Sequence, residues 1–149
     1  MVYEDLLDLA SGYDLHVYEV KFQSRAKGLI RGNLVGVEAQ LTQTGKACAL
    51  AEEIAHRVTS VGNILNQSDI RNRKQELRAR QWAYECMIPV ERIIQAHYAC
   101  ITGSYDLAEY LGVTQDFLQD AIDRYTSKYG IFLRVDEKHT IQFDPLRVI

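Results

Sequence analysis

Three glycines spaced four apart, Gly28, Gly32 and Gly36, constrain the first third of the chain most. Glycine weakens a helix by about 1 kcal/mol relative to alanine, and it favours turns and breaks. KGLIRGNLVGVEAQ (27–40) is therefore expected as two short strands, a hairpin turning at Arg31–Gly32–Asn33. Upstream, LHVYEVKF (15–22) alternates and is rich in β-formers, which predicts a strand with Leu15, Val17 and Val20 facing inward. Before it, VYEDLLDLAS (2–11) sets Leu6, Leu7 and Leu9 near Val2 and Tyr3 at helical spacing, and Gly12 stops the run.

Past residue 40 the pattern becomes helical. Thr42 or Thr44 can cap a helix over 43–60, although Gly45 is a weak choice in its first turn. VGNILNQSD (61–69) reads as a connecting loop. A long helix over 69–88 is expected to end at Pro89, because proline has no N–H and restricts the residue before it. A third helix covers 90–101, closed by Thr102–Gly103–Ser104.

From Tyr105 the chain reads as helix, glycine turn, helix, with Leu107, Ala108, Leu111, Val113, Phe117, Leu118, Ala121, Ile122 and Tyr125 as its apolar set. Two strands joined by the charged turn DEKH follow, which makes a winged-helix-like unit. The expected fold is α+β: a small antiparallel sheet packed on a helical core, with residues 1–104 as core and 105–149 as the helix–turn–helix and hairpin unit.

The chain has 149 residues, enough for one sizeable core, and a formal net charge of −3, so bulk electrostatics speak against nucleic acid. No apolar run approaches the ~20 residues of a membrane span. The first ten residues carry acids rather than the basic start of a signal peptide. Cys48, Cys86 and Cys100 form no C-x-x-C pair and suit a reducing cytoplasm, with reduced, buried thiols.

The segment with chemistry in it is ALAEEIAHRV (49–58). Zinc peptidases carry H-E-x-x-H on a helix; this chain has E-E-x-x-H. Positions i and i+4 share a helix face, so Glu52 and His56 could bind one cation, with Glu53 beside them to take a proton from water on the metal. A third ligand must come from another element, and Glu76 on the next long helix is the best candidate. Taken alone, the motif also suits an ordinary helix. Glu76 would then pair with Arg73 or Arg80 across a turn, in a basic run, RNRKQELRAR (71–80), that forms a solvated face.

The order and spacing of LAEEIAH and QELRARQWAYECMIP (75–89) resemble the ImmA/IrrE family of zinc metallopeptidases, above all its short phage and prophage members. The likeness runs from about residue 2 to 130. Glu76 matches the first acid of the family's downstream helix, with Ala79, Trp82, Ala83 and Pro89 also in place, while Arg78 stands where many relatives have a second acid. The resemblance implies a zincin-like motif helix in which Glu53 is the catalytic base. His56 and Glu76 correspond to metal ligands, and Glu52 occupies the position of the first histidine. Zinc is the implied metal. A set with two carboxylates makes it a weaker Lewis acid and discriminates less against manganese.

The resemblance also implies a cytoplasmic peptidase that cleaves or inactivates a helix–turn–helix repressor of a phage or mobile element. The alternative is an antirepressor that binds without cutting. A third reading, DNA binding through the C-terminal unit, is opposed by Asp116, Asp120 and Asp123 on the helix that would face phosphate, against Arg124 and Lys128. His97 and Tyr98 read as packing rather than oxyanion donors, and His16 and His139 as non-ligands.

Overall fold

Tyr3, Leu6 and Ala10 fall on one face of the first helix, α1 (Tyr3–Gly12), and all three are buried. In this computed structural model, residues 1–60 and 70–149 are described, without the side chains of 70–72; the loop expected over 61–69 lies outside them. Asp5 reaches back to accept the Val2 N–H at 2.9 Å, which satisfies a free donor at the start of α1. At the other end Asp14 adopts φ +59°, and the Leu15 N–H donates to the Ala10 carbonyl at 3.0 Å. This closes the helix and tucks Leu15 inward.

Strands β1 (His16–Val20), β2 (Gly28–Arg31) and β3 (Leu34–Glu38) follow. β2 and β3 form the expected hairpin, with Arg31 opposite Leu34 and Gly32 at φ +61° in the two-residue turn. The order in the sheet is β1-β3-β2, and β1 pairs with β3 in parallel, so this sheet is mixed where an antiparallel one was expected. The parallel pairing is possible because residues 21–27 carry the chain past β3 before the hairpin begins. Val17 and Glu19 share the inner face with Gly28, Ile30, Val35 and Val37. Val20, expected inward, lies on the outer face with Tyr18, because side chains alternate at a period of two.

Helix α2 (Gln43–Thr59) packs on β2, β3 and α1. Thr42 is its N-cap, accepting the Gly45 N–H at 3.0 Å. A Cβ on Gly45 would stand 3.3 Å from both the Leu41 Cβ and the Thr42 hydroxyl, which explains glycine at a helically poor position. Every residue from Gly45 to Ala51 is buried, as are Ile54 and Ala55. Leu50 and Ile54 each contribute roughly 1.5–3 kcal/mol by leaving water. Lys46 is buried among them and is paired with Glu19 of β1. Helix α3 (Ile70–Met87) follows, with Ala79, Ala83 and Tyr84 buried and Arg73, Lys74, Arg78 and Arg80 exposed.

By its contacts the chain divides into residues 1–86 and 87–149. The second unit holds α4 (Val90–Tyr98), α5 (Ser104–Leu111) and α6 (Gln115–Tyr129), then β4 (Phe132–Arg134), β5 (Thr140–Phe143) and β6 (Leu146–Val148). All nine residues of the expected apolar set, Leu107 to Tyr125, are buried here. α4 stops at Tyr98 rather than at 101, because Cys100 takes φ +61° and the Ile101 N–H turns back to the Ala96 carbonyl. Cys100 is consequently exposed, against the expectation of buried thiols, while Cys48 is buried. β6 adds a third strand to the expected hairpin, antiparallel to β5. The helix–turn–helix and strand pair thus form as the sequence predicts, and the α+β class holds.

Tyr125 ties this unit together by donating its hydroxyl to the Ile88 carbonyl at 2.7 Å in a fully buried setting. Tyr125→Phe is expected to leave that carbonyl unsatisfied and cost about 1–3 kcal/mol. The check is urea unfolding of both proteins followed by Tyr and Trp fluorescence.

Candidate functional site

The motif sits on the second half of α2, where burial becomes one-sided. Ile54 and Ala55 are fully buried, Glu53 and His56 are half-buried, and Glu52 is exposed. The helical period thus places the three chemical side chains at the boundary between core and solvent. Glu53 lies against β2: a Cβ built on Gly28 would come within 3.0 Å of its Cγ and Oε1. Gly28 leaves the space that this carboxylate fills. A strand glycine often marks such a close approach, and that was the available signal for a residue the motif search missed.

Burial pushes the Glu53 carboxyl up from 4.5 to about 7, and the negative charges of Glu52 and Glu76 add to the rise. Glu53 on α2 thus lies within the electrostatic reach of Glu76 on α3. His56 Nδ1 stands 3.6 Å from Glu76 Oε2. On the other oxygen, Arg80 Nε lies 3.3 Å from Glu76 Oε1, one turn along α3. Burial opposes the Arg80 charge, but the hydrogen bond and charge of Glu76, with Tyr84 and Glu52, outweigh it and raise its pKa. The expected pairing of Glu76 with Arg80 is present, and so is its approach to His56.

The structure thus brings His56 and Glu76 together and holds Glu53 in the field of Glu52 and Glu76. Among the described residues, no group of three or more His, Cys, Asp and Glu side chains is gathered as a metal cage. In donor type the residues suit a divalent ion: an imidazole and carboxylates from two helices meet at the edge of the core. His97, Tyr98 and His139 belong to the second unit. There the Tyr98 hydroxyl contacts His139 Nε2 at 2.6 Å, and His139 Nδ1 contacts Asp136 Oδ1 at 2.8 Å.

An α+β unit with an E-E-x-x-H helix against a small sheet, and a following helix whose Glu76 approaches His56, suits a peptidase-like fold. A family comparison agrees: residues 10–123 match the IrrE N-terminal-like domain of the M78 peptidases, and the chain belongs to this ImmA/IrrE family. No curated protein and no solved structure matches it significantly. Among the described residues no helix is long and apolar enough to cross a membrane.

Two outcomes follow from the Glu53 environment. Its folded pKa lies above the unfolded value, so the folded state binds the extra proton between pH 4.5 and 7 and loses stability as pH rises through that window. In chelator-treated protein, Glu53→Gln should match wild type near pH 4 and exceed it at pH 8 by up to about 3 kcal/mol, read by denaturant unfolding at both pH values. Gly28→Ala should displace Glu53 while keeping the fold. Wild-type circular dichroism together with an unchanged pH dependence of stability would show that Gly28 does not shape this site.

Proposed function

We propose that the chain is a metal-dependent peptidase of the cytoplasm that cleaves or inactivates a helix–turn–helix repressor of a phage or mobile element. What supports this reading is the Glu53 carboxyl, pressed against Gly28 and pushed up to about 7 by burial, together with the approach of His56 Nδ1 to Glu76 Oε2 at 3.6 Å. A general base for peptide hydrolysis works best with a pKa near the operating pH. Glu52, His56 and Glu76 would hold the metal, zinc or manganese, which supplies Lewis acidity at the substrate carbonyl. Glu53 takes the proton of the attacking water and returns it to the leaving amine.

Residues 1–104 act in this proposal as the metallopeptidase-like core, and 105–149 help to engage the repressor. The exposed acids Asp116, Asp120 and Asp123 on α6 favour a protein over a nucleic acid at that surface.

One observation favours a second reading, an antirepressor that binds without cutting. Glu76 already carries a cation, Arg80, and no three-donor group is gathered among the described residues. Mixing the protein with its cognate repressor separates the two readings. Under the first, repressor fragments appear, and Glu53→Gln slows their formation by about 10²–10⁴-fold. Equal relief of repression by wild type and variant, with no fragments, would establish the second.

A further inference from the structure

Glu76 is flanked on both oxygens, His56 Nδ1 being 3.6 Å from Oε2 and Arg80 Nε 3.3 Å from Oε1. We propose that Arg80 is a built-in competitor of the metal: its guanidinium must leave Glu76 before a divalent cation can bind there. The inference rests on the metal-site reading above and adds a restraint on that site.

The physical grounds lie in charge and reach. A guanidinium does not lose its proton in a protein, so Arg80 cannot yield by becoming neutral; it has to move. A divalent ion bound to a Glu76 oxygen at about 2 Å would sit beside that positive charge, and the two would repel. The Arg80 side chain is 60% exposed, so solvent is open to it once displaced. Its contact with Glu76 runs from Nε to Oε1 at 3.3 Å, so the restraint falls on the carboxylate that the metal would use. Helical spacing of i to i+4 on α3 sets the pair in place without any long-range ordering. Arg80 therefore neutralises Glu76, and a metal bound there would have to take over that role.

The test is zinc binding by the full chain against a chromophoric chelator, comparing wild type with Arg80→Ala, Arg80→Gln and Glu76→Gln. Melting temperature is measured for each protein in EDTA and in zinc. Arg80→Ala and Arg80→Gln should bind zinc about tenfold more tightly than wild type and show a larger zinc-induced rise in melting temperature. Glu76→Gln introduced into either should remove the gain. The glutamine variant keeps most of the length of arginine without its charge, and it carries the test if the alanine variant does not fold. Zinc binding by the substituted proteins alone would support the proposal in its strongest form. Equal or weaker binding by both variants, with wild type still binding, overturns the role of Arg80 and leaves the metal site standing. No binding by any protein overturns both. A gain that survives Glu76→Gln places the zinc elsewhere and overturns the proposal.

Discussion

Helix α2 is buried around most of its circumference, and the organisation of residues 1–86 follows from that. A helix enclosed by β2, β3 and α1 needs small side chains where backbones approach, and it has them at Gly45, Ala47, Ala49, Ala51 and Ala55. It also tolerates few charges, so Lys46 is there only with Glu19 as partner. Close packing in the first two turns fixes the rotation of the last two. Glu53 is thereby turned toward Gly28, while Glu52 and His56 stay near solvent. Packing against Gly28 thus limits the positions this carboxylate can take.

Clustering acids at the edge of a core has an electrostatic cost, and two features of the chain answer it. Glu53 can meet it by protonation, which its elevated pKa makes accessible near neutral pH. Glu76 meets it by pairing with a cation from its own helix. Both responses reduce the negative charge that would draw in a divalent ion. Each additional carboxylate at this edge therefore adds a charge that the neighbouring groups must offset.

Much of this was legible in the sequence because it depended on local rules. The Gly32 turn, the Thr42 cap, the stop before Pro89 and the nine buried residues from Leu107 to Tyr125 all follow from spacing and backbone chemistry. The parallel pairing of β1 with β3 was not, because strand order depends on which partner the 21–27 connection can reach. β6 escaped notice because three residues beyond a proline carry too little pattern to read as a strand. At the site, E-E-x-x-H and Glu76 stood out through the order of their two segments and its resemblance to a known family, since the motif alone also suits an ordinary helix. The contact of Gly28 with Glu53 did not, because it joins residues from two elements whose packing had first to be known.

The β4–β5 turn illustrates how a polar chain can alter the mechanics of a loop. Asp136 accepts the N–H groups of Lys138 and His139, so the turn is stiffened from within. Its carboxyl is held below its usual range, first by the side-chain hydrogen bond to His139. His139 then reaches the Tyr98 hydroxyl on α4, which lies in the same unit. Wing-like turns are commonly thought of as free arms, yet this one is moored. Asp136, His139 and Tyr98 thus link the turn to α4 through three side chains in series.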